Sequence, residues 1–358
     1  MFSFRHVPQA SVRALLPLLT LTATLAGCLV EEGEGEGDVA SDSEAIGETC
    51  TAPTSFTFKV SGDKTIAYLG TQPVAWFTAG AYTVNMTGPS RTFTWGAPAT
   101  VTITSTSWVR TMAAPFNAAM SKSSLTSWLN AARAVNCAQP TGTPDIIAIA
   151  YEYVEGTPND AGYDVGADFN DYLGLSWLPL DGLLSLADPL EKGKLDCSGF
   201  MRLVWGHRTN FVYNLNASKI PLSWHAYTNA LPRDSTEIYT HGPGKVIVPF
   251  RVAPSGGLAS NGGAPTAAEL GALQVGDLVF FDLACDYSVA SPSCVKDASA
   301  ITHAGMFVGK DSSGRYRFIS SRVSSDGPTI GNTSGWSVLD MNASSPYFPK
   351  RFRAARRL

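Results

Sequence analysis

The residues best placed to do chemistry lie in one short stretch. In Leu195-Asp196-Cys197-Ser198-Gly199-Phe200-Met201-Arg202-Leu203-Val204-Trp205, a cysteine sits between an acid and two small residues at the head of an apolar run. Asp196 is a good N-cap, and Phe200, Leu203 and Val204 recur at helical spacing, which predicts Cys197 in the first turn of a buried helix. Unpaired backbone N–H groups and the positive dipole end gather there and favour a thiolate, a nucleophile with an anion site beside it. The plainer alternative is a small core cysteine that merely opens a helix.

A cysteine nucleophile needs a base, normally histidine, and five histidines are available. His6 falls in the leader described below. His207 lies ten residues beyond Cys197, about 15 Å along a continuous helix and out of hydrogen-bond reach. His225 and His241 sit in polar, Gly/Pro-bearing sequence with no strand to fix them. His303 opens the apolar run Ala304-Gly305-Met306-Phe307-Val308, a strand that would hold its imidazole in place. It is the candidate base.

The six cysteines divide around this pair. Cys285 and Cys294 flank a polar loop and are a candidate local disulfide. Cys50 and Cys137 bracket one segment and are a second candidate pair, and Cys28 belongs to the leader. Cys197 is left as a free thiol. No Cys or His spacing suggests zinc, and neither a metal nor another cofactor is expected.

At 358 residues, 44% hydrophobic and 16% charged, the chain is globular and long enough for one or two domains. Acids cluster from Glu31 to Glu48, and Lys350, Arg351, Arg353, Arg356 and Arg357 make a basic C-terminal run. Both read as solvated surface. Without a wider basic patch, nucleic-acid binding is not expected.

Residues 1–27 read as an export signal. Arg5 and Arg13 precede the apolar run Ala14 to Ala26, which is too short to span a bilayer. The run ends in Leu25-Ala26-Gly27-Cys28, which resembles a bacterial lipobox. That resemblance implies cleavage before Cys28, its acylation and a membrane anchor; Leu29 after the cysteine implies outer-membrane sorting in a Gram-negative cell. Residues 28–50, with Glu31-Glu32-Gly33-Glu34-Gly35-Glu36-Gly37-Asp38, cannot build a core and are expected to form a flexible acidic tether.

Residues 51–136 alternate as short strands, as in Ser55 to Val60, Tyr82 to Met86 and Thr100 to Thr104, and end in a helix from Phe116 to Val135. They are expected to form a β-rich N-terminal domain. In residues 137–358, Asp145 opens a helix that ends before Gly156-Thr157-Pro158, and a long loop-rich stretch leads to Lys194. Leu278 to Phe281, Ile301 to Gly309 and Arg315 to Ser320 read as strands, the last two joined by a turn at Asp311-Ser312-Ser313-Gly314. Helices followed by a run of strands predict an α+β fold, an antiparallel sheet against the cysteine helix.

The blocks Leu195 to Phe200, Leu273-Gln274-Val275-Gly276-Asp277-Leu278-Val279-Phe280-Phe281 and Thr302-His303-Ala304-Gly305-Met306-Phe307-Val308-Gly309 resemble, in order and spacing, the signature blocks of the NlpC/P60 cysteine peptidases. Ala150 to Pro158, Leu231-Pro232-Arg233 and Lys350 to Arg357 add to the likeness, which covers Asp145 to Leu358. The resemblance implies a papain-like fold and hydrolysis of stem peptides of the bacterial cell wall, often between D-glutamate and diaminopimelate. It casts Cys197 as nucleophile and His303 as general base and acid. Tyr163, Asp196 and Ser198 would contact substrate. The polar residue that orients the imidazole in that family, usually histidine, aligns here with Ser320, while Ser321 faces the other way. Peptidoglycan peptides and the membrane are therefore the expected partners. Two other readings stay open: an idle wall-binding lipoprotein, and a papain-like amidase or acyltransferase.

Overall fold

The computed structural model describes residues 54–95, 101–139, 142–154, 177–186, 195–207, 220–251, 263–283, 301–322, 327–331, 337–341 and 346–358. All of them belong to one compact unit, Asp42–Leu358. Cys28, Cys50, Tyr163, Cys285 and Cys294, and with them the lipidation, tether and substrate-tyrosine expectations, lie outside the described residues. Cys137 is disulfide-bonded; its proposed partner Cys50 is among the residues not described. The architecture is α+β: two antiparallel sheets with a few short helices.

The first sheet is a meander in sequence order, β1 (Thr57–Ser61), β2 (Lys64–Leu69), β3 (Gln72–Thr78), β4 (Thr83–Trp95) and β5 (Val101–Thr111). Gly62 and Gly70 open the two tight turns at φ near +60°, a conformation that costs a residue with a Cβ. Inward-facing Ala67, Ala75, Phe77, Val84, Met86 and Trp108 form a core with Leu125, Leu129 and Ala132 of α1 (Lys122–Cys137). That helix starts six residues later than its apolar spacing predicts. Asn117 Oδ1 accepts the Ala119 N–H at 2.9 Å and Ser121 Oγ that of Ser124 at 3.1 Å, so local side-chain bonds hold the Phe116–Met120 backbone out of the helix.

The second sheet runs β6 (Lys245–Val248), β10 (Phe352–Arg357), β7 (Leu278–Phe281), β8 (His303–Lys310) and β9 (Tyr316–Ile319), in that spatial order. The hairpin β8–β9 turns as its sequence predicts, with Asp311 Oδ1 accepting the N–H groups of Ser313 and Arg315 at 2.9 and 3.0 Å. The described residues also form four further α-helices: α2 (Ile146–Tyr151), α3 (Cys197–Arg202), α4 (Ser235–His241) and α5 (Ala267–Ala272). A π-helical turn, Leu203–His207, prolongs α3.

β10 corrects the reading of the basic C-terminal run as solvated surface. All six of its residues are buried, Arg353, Arg356 and Arg357 included, and it lies between β6 and β7. Each guanidinium has an inward partner. Arg357 pairs with Asp277, Arg356 donates to the carbonyls of Tyr239, Gly242 and Pro243, and Arg353 lies 4.4 Å over the Phe250 ring.

The two sheets are joined through buried polar contacts. Asp145 caps α2 through the Ala148 N–H at 3.0 Å, takes the Val109 N–H of β5 at 2.7 Å, and accepts both Arg91 Nη atoms of β4 at 2.6 and 2.7 Å. Arg91 and Arg110 hold its carboxyl below the usual range against the pull of burial. Asn85 Nδ2 donates to the Val275 carbonyl at 3.0 Å, and Tyr82, Val101, Ile103 and Val109 enter the same apolar core as α3 and β7–β10.

Candidate active site

The helix α3 is capped as its sequence predicts. Asp196 Oδ1 accepts the Gly199 N–H at 2.5 Å, which sets Cys197 as the first helical residue. Phe200, Met201, Leu203 and Val204 are buried in the core and fix the helix against β8, whose first residue is His303. Cys197 and His303 thus open on one pocket of about 350 Å³, whose lining also includes Arg233, Arg322, Tyr347 and Phe348. Cys197 is half-buried and is the free cysteine among the described residues. The N–H of Ala304, next to His303, donates to its sulfur, so β8 positions both groups.

Asp196 and Ser198, expected to contact substrate, both line the pocket and are both held by one residue. Arg233 donates from Nη2 to Asp196 Oδ2 at 2.7 Å and from Nη1 to Ser198 Oγ at 2.8 Å. It therefore grips the residues on either side of the cysteine. Sequence reasoning met Arg233 only within Leu231-Pro232-Arg233 and gave it no role. Ser321 also faces the pocket and donates to the Leu195 carbonyl, tying the chain after β9 to the residue before the cap.

Ser320 does not orient the imidazole in this structure. It is fully buried, lies outside the pocket lining, and its Oγ meets Arg322 Nε at 3.5 Å, with no bond to His303. The register explains this. Met306 pairs with Ile319, so the same register carried on sets Ser320 opposite Gly305 and Arg322 opposite His303. Arg322, which the sequence reading passed over, lines the pocket, lies 4.6 Å over the Phe348 ring and donates to Ser337 Oγ. The signal that could have found it is the period of two: an alternate residue after Ser320 returns to the face of His303.

The imidazole lies between Phe281 and Phe348, with ring centroids 6.0 and 5.7 Å away, and Nε2 is enclosed without a hydrogen-bond partner among the described residues. Burial, reinforced by the Arg322 charge, lowers its pKa to about 3. The thiol moves the other way. Burial, then the Asp196 charge, push Cys197 up to about 12, while the Ala304 N–H and Arg233 pull it back only in part. The expected resting thiolate is thereby corrected. A six-residue helix already capped by a carboxylate offers the sulfur little positive field, and that carboxylate repels a second anion beside it. Both shifts favour the neutral forms, thiol and imidazole.

A pH dependence of stability follows. An imidazole that binds its proton near pH 3 in the folded chain but near 6.5 when unfolded makes stability rise with pH between those values. The contribution is fully present above about pH 6.5 and is lost as pH falls towards 3. Between pH 7 and pH 5 this group alone should remove about 2 kcal/mol. Urea unfolding at both values should show that loss in the native chain, and His303→Gln should reduce it by that amount. An unchanged difference would mean that the imidazole is solvated.

No protein-family model matches the chain, and neither a curated protein nor a solved structure does.

Proposed function

We propose that the chain is a papain-like cysteine hydrolase of the NlpC/P60 kind, which cuts peptide bonds in the stem peptides of bacterial cell walls and is held at a membrane by lipid on Cys28. One observation carries the chemistry: the free thiol of Cys197, at the start of α3, and the imidazole of His303, at the start of β8, open on the same pocket. The packing of a cysteine helix on an antiparallel sheet is consistent with a papain-like fold. The wall-peptide substrate is carried by the sequence resemblance.

The resting protonation states set the order of events. Neutral imidazole accepts the thiol proton while the sulfur forms its bond to the substrate carbonyl carbon, because neither group ionises in advance at neutral pH. The Cys197 N–H, which has no partner within its own helix, is placed to donate to the carbonyl oxygen as it gains charge. The C–N bond then breaks, the imidazolium returns its proton to the departing amine, and a thioester remains on Cys197. Water, deprotonated by His303, attacks the thioester and restores the thiol.

A second reading has its own support. The enclosed Nε2, without an acceptor behind it, and the cation opposite the ring both disfavour an imidazolium. These features suit a protein that binds wall peptides without cutting them. Incubation of the chain with purified peptidoglycan fragments decides between the two. New fragment masses, with a transient acyl adduct on the Cys197 peptide, are the expected result. Retained binding with no new fragment and no adduct would overturn the hydrolase and leave the binding protein.

A further inference from the structure

Eight large hydrophobic side chains are conspicuously exposed among the described residues, and five of them are the leucines of one ten-residue segment. Leu178, Leu180, Leu183, Leu184 and Leu186 are between 51% and 89% exposed. Trp177 and Ser185 exchange both backbone hydrogen bonds at 2.9 Å, closing the segment into a hairpin, and the Leu180 N–H donates to the Leu222 carbonyl at 2.9 Å. The root is rigid. The Trp177 ring is buried, packs 4.7 Å from Trp224 and lies under the Arg202 guanidinium at 4.1 Å. Asp181 is the only ionisable residue from Trp177 to Leu186. Its carboxylate, though exposed, accepts the N–H groups of Trp224 and His225 at 2.7 and 2.9 Å.

A packed root thus holds out a tip that is aliphatic apart from Asp181, whose exposed carboxylate is tied to two backbone N–H groups. Patches of this kind on a monomer mark a binding surface. The composition bears on what binds. Protein hot spots draw on Trp, Tyr and Arg and under-use Leu, and here the one aromatic ring of the hairpin, Trp177, is buried while its large exposed side chains are all leucines. Hydrocarbon, which needs no polar partner, suits such a tip better than another protein.

We propose that the Trp177–Leu186 hairpin is a membrane-contact element whose leucines enter the headgroup–acyl boundary of a bilayer; this rests on the reading of Cys28 as the lipid anchor. Chain length permits the contact. Thr54 follows Cys28 by 26 residues, a reach of at most about 90 Å. Acylation holds the chain at the bilayer, so the leucine tip acts as a second contact that sets which face of the protein meets the lipid. With no basic residue in the hairpin, the contact gains no attraction from anionic headgroups.

The test uses the full lipidated chain in phosphatidylcholine vesicles, with an environment-sensitive fluorophore on Leu183→Cys in a Cys197→Ala background. Val60→Cys, 72% exposed in β1, carries the same label as control. The lipids are brominated near the headgroup end of their acyl chains, since an interfacial element reaches about 5–10 Å into that boundary. The expected result is loss of most of the emission at position 183, little loss at position 60, and the same pattern with anionic lipid. A blue-shifted but unquenched label at 183 would mean that another part of the protein covers the leucines, and would overturn the proposal. An unshifted, unquenched label, or equal quenching at both positions, would overturn it too. A chain that fails to float with vesicles would remove the anchor and the proposal together. None of these outcomes depends on hydrolytic activity, which the background variant lacks.

Discussion

Asp277→Ala should destabilise the folded chain by about 3–5 kcal/mol, the range for removing one partner of a buried ion pair. Asp277 and Arg357 are almost wholly enclosed, and their pairing is bidentate, with Nε to Oδ1 and Nη2 to Oδ2 both at 2.8 Å. The same carboxylate accepts the Gln274 N–H at 2.8 Å, and Arg357 Nη1 donates to Thr78 Oγ1 of β3 at 2.9 Å. The pair therefore joins the turn before β7, the buried strand β10 and the first sheet. Without the carboxylate, a guanidinium remains in the core with one hydroxyl and a distant carbonyl. Removing both charges is a different matter, because a buried pair replaced by apolar groups of similar volume is often neutral. Asp277→Leu with Arg357→Met should recover most of the loss, and guanidinium denaturation of the single and double variants measures the coupling. A single-variant loss below about 1 kcal/mol would show that water reaches the site.

If the chain is the hydrolase proposed above, Arg233→Ala should lower its turnover by about a hundredfold, the scale on which small misplacements of catalytic groups are felt. Arg233 holds Asp196 and Ser198 from one guanidinium, and its charge offsets the carboxylate that raises the Cys197 thiol. Its removal leaves Asp196 nearly buried without its strongest counter-charge, loosens the first turn of α3 and pushes the thiol higher still. Arg233→Lys keeps the charge but loses the fork that spans the two acceptors. Iodoacetamide alkylation of Cys197 against pH separates the effects. The alanine variant should need a higher pH than the native chain, while the lysine variant should keep the native profile yet lose turnover. Identical alkylation profiles in all three chains would rule out the electrostatic role.

The parts of this molecule that were legible in its sequence are those decided locally. Asp196 as a cap, the apolar face of α3, strands β7 to β9 and the Asp311 turn each follow from residues within a few positions of one another. Cys197 and His303 emerged by elimination among few candidates, and the fold brings them to one pocket. What sequence order hides is partnership across distance. The run Phe352 to Arg357 looks solvated because its charges are visible and its partners are not: Asp277 lies 80 residues away and Thr78 lies 279. Arg233 reaches Asp196 across 37 residues, and Arg322 meets His303 only because β9 folds back on β8. The sign of the thiol shift was hidden for the same reason. A dipole argument sees the start of a helix, but it sees neither the burial nor the acid that outweigh it.

The place of β10 has a consequence for how the molecule is made. The first sheet can close as it leaves the ribosome, since each strand pairs with the one just synthesised. The second cannot. β7, β8 and β9 can pair among themselves, but β6 reaches them only through β10, more than one hundred residues later in the chain. Until that strand arrives, β6 and β7 each present a bare edge, and Asp277 lacks its cation. Long-range closure of this kind is slow, and its open edges invite misassembly. A candidate site whose sheet is completed by an interior strand, and last, stays unassembled through nearly all of synthesis.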